Sequence, residues 1–125
     1  MIGKILVIDD APIIRDFLSD VLTDWGFTVD SAENGKIGYE MAVKNEYTVV
    51  FCDVHMPVMN GVQTVIQLKQ AKPELPIIMT DSYPEKQVEQ AIREGAIRCL
   101  NKPFDLDDLK SAVNSIIRNQ IPSLK

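Results

Sequence analysis

Thr48-Val49-Val50-Phe51-Cys52 is a run of mostly β-branched and aromatic residues, and Asp53 follows it directly. So continuous an apolar run predicts a strand buried on both faces, as in a parallel sheet covered by helices. Lys4 to Ile8, Phe27 to Ser31 and Pro76 to Thr80 have the same character. Arg98 to Leu100 is weaker in composition and is read as a strand from its place in the rhythm.

Helical periodicity fills the intervals. Ile14, Phe17, Leu18, Val21 and Leu22 recur at i, i+3, i+4, i+7 and i+8, one continuous apolar stripe, with Gly26 as its stop. Gly35 to Lys44 and Val62 to Ala71 are shorter helical segments. Glu85 to Glu94 offers only Val88, Ala91 and Ile92 as an apolar face, with Pro84 suited to its first turn and Gly95 to its end. Leu106, Leu109, Val113, Ile116 and Ile117 form the last stripe, behind Asp105 as N-cap. Strict alternation predicts an α/β fold, a doubly wound five-stranded parallel sheet with five helices. Right-handed crossovers leave strand order 2-1-3-4-5 as the commonest solution, its ligand crevice lying at the carboxyl ends of strands one and three.

At 125 residues the chain has the size of one domain, expected to span 1–125 with a core of about 3–119 and Ile121 to Lys125 as a loose tail. No repeat or linker interrupts it. Hydrophobic content of 46% and charged content of 25% are those of an ordinary soluble protein. The longest apolar runs are too short to span a bilayer, and Met1 leads almost directly into a strand, without signal-peptide character. A cytoplasmic protein with no membrane contact is expected. The net charge of −5 argues against direct nucleic-acid binding and suits carboxylates gathered around a cation. Cys52 and Cys99 lack CxxC spacing, so neither zinc nor dithiol chemistry is indicated, and Cys52 reads as a buried thiol.

Polar residues collect where the strands end. Asp9 and Asp10 follow the first, Asp53 the third, Thr80 closes the fourth, and Lys102 follows the fifth. Each alone has a plain structural explanation: Asp10 as a cap of helix one, Asp53 as the start of a turn, Lys102 as a solvated side chain. In the predicted strand order all five converge on one crevice. Carboxylates at ~5 Å and an effective dielectric of ~20 repel by about 3 kcal/mol per pair, so such a cluster calls for a cation. Oxygen ligands favour a hard divalent ion, and Mg²⁺ suits a site that also holds phosphate. A carboxylate attacking a phosphoryl donor is covalent catalysis, with Lys102 and the Thr80 hydroxyl placed to meet phosphoryl oxygens.

Val7-Ile8-Asp9-Asp10, Asp53-Val54-His55-Met56-Pro57-Val58-Met59-Asn60-Gly61, Ile77-Ile78-Met79-Thr80 and Lys102-Pro103-Phe104 together resemble the signature of the receiver domains of two-component response regulators, from Gly3 to about Asn119. The resemblance implies a flavodoxin-like receiver fold of the chemotaxis-regulator kind. It implies Asp53 as phosphoacceptor, Asp9, Asp10 and Asp53 around Mg²⁺ with the backbone carbonyl of His55, Thr80 as the switch hydroxyl and Lys102 as the pocket's cation. Gly61 and Pro103 would be structural, with a cis Lys102–Pro103 bond. The donor would be a phosphohistidine on a sensor histidine kinase or a histidine phosphotransfer protein. Phosphorylation would remodel the surface of helix four, strand five and helix five, and so control a downstream protein target or output domain. The domain would promote its own phosphorylation and dephosphorylation without being a metabolic enzyme.

Two positions depart from the family. Asp81 stands after the switch threonine, where a small residue is usual; it or Ser82 would cap helix four, or its charge would modulate the pocket. Cys99 stands where an aromatic ring usually turns, which leaves the ring-based readout without its ring unless Tyr83 substitutes. The His55 imidazole is expected to point outward from an exposed loop, and Trp25, Met56 and Met59 to serve packing. Other classes fit less well. An aspartyl phosphatase of the haloacid dehalogenase kind needs two aspartates spaced by two, whereas Asp9 and Asp10 are adjacent. A flavin site needs a hydroxyl-rich phosphate loop where Asp9-Asp10-Ala11-Pro12 stands. A degenerate receiver acting only as a binding module is the remaining alternative. No output domain follows in the sequence, which fits a stand-alone receiver or the receiver of a larger regulator.

Overall fold

A computed structural model of the chain describes residues 3–81 and 86–120. Strand and helix alternate: β1 (Lys4–Ile8), α1 (Pro12–Asp24), β2 (Thr28–Ala32), α2 (Gly35–Lys44), β3 (Val49–Asp53), α3 (Gly61–Ala71), β4 (Ile77–Asp81), α4 (Lys86–Arg93), β5 (Arg98–Asn101) and α5 (Leu106–Gln120). The strands pair in parallel in the order β2-β1-β3-β4-β5, as the sequence predicts. Expectations for Ser82, Tyr83, Pro84, the helix start at Glu85 and the tail from Ile121 fall outside the described residues.

The period of two along each strand divides the core into two layers. Leu6, Ile8, Val50, Cys52, Ile77 and Met79 face Ala42, Val65, Leu68 and Ala91 of α2, α3 and α4. Ile5, Val7, Val49, Phe51 and Ile78 face Leu18 and Leu22 of α1 and Leu109, Val113 and Ile116 of α5. The central strands are buried on both sides, which is why their sequences read as continuous apolar runs.

β2, β3 and β4 each begin and end one residue later than the apolar runs suggest. The ladder continues past the last apolar residue because a partner backbone is still alongside: Asp53 pairs with Thr80, and Asp81 with Asn101. Asp81 is therefore a strand residue. The two long stripes are also narrower than their periodicity implies. Phe17 is 38% exposed, its ring stacked 6.0 Å from that of Phe104, and Leu106 is 50% exposed.

Caps fix the helix ends. The Asp105 side chain accepts from the backbone N–H groups of Asp107 and Asp108 at 2.8 and 3.3 Å, as an N-cap does. Asn60 and Gln63 form a reciprocal capping box that starts α3 at Gly61, one residue before the apolar pattern. Gly26 and Gly95, with φ of 99° and 123°, stand just beyond α1 and α4.

Candidate metal centre

Strand register decides which side chains meet. Ile8 lies opposite Cys52 and Asp53 opposite Thr80, so Asp9 leaves β1 next to the end of β3. The Lys102 N–H donates to the Asp81 carbonyl at 2.8 Å, which extends the β4–β5 pairing to the lysine and aims it back across the sheet edge. Its Nζ lies 2.7 Å from Asp9 Oδ2 and 3.2 Å from Asp53 Oδ1. Asp9 is buried and well held: its Oδ1 accepts the Ala11 N–H at 2.9 Å, and its carbonyl accepts from Arg15 Nη1 at 2.7 Å. Asp10 is exposed at the rim and caps nothing, because the N-cap of α1 is Ala11 and carries no side-chain hydrogen bond. The carboxylate oxygens of Asp9, Asp10 and Asp53 come within 4.8 Å of one another.

Three carboxylates and one ammonium leave an excess of negative charge. Burial, then the charge of Asp9, push the Asp53 carboxyl up to about 6; Lys102 opposes this, and Asp10 adds to it. Burial works against the charge on Lys102, yet its hydrogen bond to Asp9 and the nearby carboxylates outweigh burial and move it upward. The surplus charge and the all-oxygen donor set fit a hard divalent cation that keeps several waters, as Mg²⁺ does. Among the described residues this is where three metal-ligating side chains converge.

The loop from Asp53 to α3 is tight. The Gly61 N–H donates to the Val54 carbonyl at 2.9 Å, and a Cβ on Gly61 would collide with the Asp53 carbonyl oxygen and stand 2.7 Å from Val54 Cα. Glycine is thus required for the backbone to close under Asp53. Val58 has φ of 70° inside a turn closed by Met59 N–H to Pro57 O at 2.7 Å, a conformation that costs a β-branched residue about 1–3 kcal/mol. Nothing in the sequence signalled this, since glycine or asparagine is the usual occupant. The Lys102–Pro103 bond is cis.

The family described as response regulator receiver domain matches residues 5–114. The chain belongs to this family. Receiver domains are signalling modules of two-component phosphorelays. Among curated relatives, the regulatory protein AtoC of Escherichia coli is 31% identical over 125 residues, covering 99% of this chain and 27% of its own. The transcriptional regulatory protein CusR of Escherichia coli is 32% identical over 117 residues, covering 92% and 51%. The chain thus spans about a quarter to a half of these relatives. Among solved structures, the Vibrio cholerae chemotaxis protein CheY4 superposes with a TM-score of 0.85 at 29% identity, covering 91% of this chain and 98% of its own. The Thermotoga maritima response regulator TrrA, in complex with Mg²⁺ and beryllium fluoride, does so with 0.84 at 29% identity, covering 90% and 97%.

The receiver's two irregular positions have defined places. Asp81 ends β4 and is 2% exposed, its Oδ1 3.7 Å from His55 Nε2. The imidazole stands on an exposed loop, as expected, and is itself half-exposed, with its Nε2 toward Asp81. Sequence reasoning missed this pairing, and periodicity holds no trace of it, because it depends on the path of the β3–α3 loop. Cys99 is half-buried; burial, then the charges of Asp81 and Asp53, push its thiol up to about 11, so it stays protonated at neutral pH. Cys52 is fully buried, as expected, and burial raises its thiol as well. Trp25 packs against the α1/α5 layer beneath the Lys110 ammonium, 5.7 Å away, and Met56 against the opposite layer. Among the described residues no helix is long and apolar enough to cross a membrane.

Proposed function

We propose that this chain is a single, cytoplasmic receiver domain that works as a phosphorylation-dependent switch, with Asp53 as the phosphoacceptor. The observation that carries this reading is the meeting of Asp9, Asp53 and Lys102 from three strand ends, at 2.7 and 3.2 Å, with Asp10 beside them.

Asp9, Asp10, Asp53 and the His55 carbonyl would hold Mg²⁺, which when bound screens the carboxylates from an incoming phosphoryl group. An Asp53 carboxylate oxygen attacks phosphorus in line with the departing imidazole of a phosphohistidine; the O–P bond forms as the N–P bond breaks. With its carboxyl near 6, Asp53 is largely ionised at neutral pH and available as nucleophile. Lys102 exchanges its contact with Asp53 for a phosphoryl oxygen while keeping Asp9. Thr80, in register with Asp53 on the adjacent strand, donates its hydroxyl to another. The phosphoryl group adds about −1.5 to −2 charges. Better contacts from Thr80 and Lys102 in one conformation than in the other then shift the population. The surface of α4, β5 and α5 is the readout, toward a separate target or an output domain. Cys99 has no ring to turn, so among the described residues the readout begins at Thr80 and the backbone of β4.

Incubation with Mg²⁺ and acetyl phosphate or phosphoramidate, followed by intact mass, tests this reading. A phosphoryl-sized gain on the wild type, absent in Asp53→Ala, is expected. No adduct on either protein would make the chain a binding module without phosphotransfer.

A further inference from the structure

The Asp81 carboxylate is buried, and among the described residues its Oδ2 is the buried side-chain oxygen or nitrogen without a hydrogen-bond partner. Its Oδ1 faces the His55 imidazole at 3.7 Å, and its carbonyl accepts the Lys102 N–H. It is joined by one peptide bond to Thr80, whose carbonyl accepts the Val54 N–H at 3.1 Å. Thr80, Lys102 and the loop after Asp53 therefore all connect through this residue. The nearby Cys99 thiol is directed to the Leu100 carbonyl, 3.7 Å away, so it is not spent on Asp81.

We propose that His55 and Asp81 form a tether that positions the end of β4, and Thr80 with it, in the arrangement held without a phosphoryl group, and so weakens phosphoryl binding at Asp53. This rests on the reading of Asp53 as phosphoacceptor. A buried carboxylate with one idle oxygen is held in place by the partner it does have, because separating the two leaves the charge with less compensation than before. The loop carrying His55 is anchored on either side, by Val54 N–H to Thr80 O and by Gly61 N–H to Val54 O. Drawing the Thr80 hydroxyl toward a phosphoryl oxygen displaces Asp81 and stretches its contact with His55. Asp81 and His55 are thus positioning residues, acting through Thr80.

Titration of the protein with beryllium fluoride in saturating Mg²⁺, followed by calorimetry, separates this tether from simpler effects. Asp81→Asn and His55→Ala are each expected to bind the phosphoryl analogue about two- to fivefold more tightly than the wild type. The double variant should gain no more than the better single one, since both remove one contact. His55→Lys, which places a side-chain donor opposite Asp81 again, should return affinity toward the wild-type value. If Asp81 acts only as a repelling charge, the two single variants move in opposite directions or His55→Ala has no effect, and the tether is overturned. Weaker binding by both variants overturns it too, since that marks general damage to the pocket. A wild type that binds no analogue at all refutes the phosphoacceptor reading itself.

Discussion

Asp9 and Asp81 leave the same edge of one sheet, from strands separated only by β3, and both are almost completely buried. Their surroundings differ sharply. Both oxygens of Asp9 are engaged, one by a backbone N–H at 2.9 Å and the other by the Lys102 ammonium at 2.7 Å. Asp81 has a half-exposed imidazole at 3.7 Å and an oxygen with no donor. Burial alone therefore says little about what a carboxylate contributes. Where donors surround it, the charge is a fixed part of the site; where they do not, its burial costs stability and it depends on the one contact it has.

Removing the shared cation should give the largest effect. Lys102→Met leaves Asp9 and Asp53 facing each other without compensation, and breaking a buried pair in this way costs about 3 kcal/mol. Urea unfolding without divalent ions should show that loss. Saturating Mg²⁺ should recover part of it, because an ion bound by the folded state replaces some of the missing charge. A variant as stable as the wild type in metal-free buffer would remove the contrast between the two carboxylates.

Asp53 sharpens the comparison through pH. Its carboxyl stands near 6 in the folded protein against 3.8 for the free group, so the folded state binds the proton more tightly than the unfolded chain. Stability from this group is greatest below about pH 4, falls as pH rises toward 6, and stays lower above it. Full linkage would be about 3 kcal/mol, which solvent screening reduces to about 1–2 kcal/mol. Asp53→Asn should therefore stabilise the metal-free protein by about 1–2 kcal/mol at neutral pH and by nothing below about pH 4. A gain independent of pH in urea melts would assign the effect to packing instead.

The pocket was legible in the sequence and the second carboxylate's environment was not, for reasons that lie in the chain. Asp9, Asp53, Thr80 and Lys102 sit at strand ends, and a parallel sheet of known order fixes where strand ends go. The strand limits were off by one at Asp53 and Asp81 because apolar runs mark burial, whereas pairing continues wherever a neighbouring backbone remains. Phe17 and Leu106 fit their stripes by spacing yet lie at the surface, since periodicity gives the direction of a side chain and not the width of the sheet beneath it. The His55–Asp81 contact and the φ of Val58 both belong to the loop after β3. Its path is set by Gly61 closing under the Asp53 carbonyl, a steric condition no hydrophobic pattern encodes.

The smallest expected effect bears on Asp81 itself. Asp81→Asn keeps the shape of the side chain, removes its charge and supplies an amide that can donate where the carboxylate could only accept. An unpaired buried polar atom costs about 1–3 kcal/mol, more for a charged one, while the contact with a half-exposed histidine returns less than about 1 kcal/mol. The balance predicts that Asp81→Asn raises the stability of the unphosphorylated protein by about 1 kcal/mol, read as a higher urea midpoint at unchanged slope. The gain should be the same with and without Mg²⁺ if the stored free energy belongs to Asp81 and not to the metal pocket. A loss of stability would mean that His55 compensates Asp81 as fully as Lys102 compensates Asp9. The two ends of the sheet edge would then be alike, and the carboxylate beside Thr80 would be one half of a compensated structural pair.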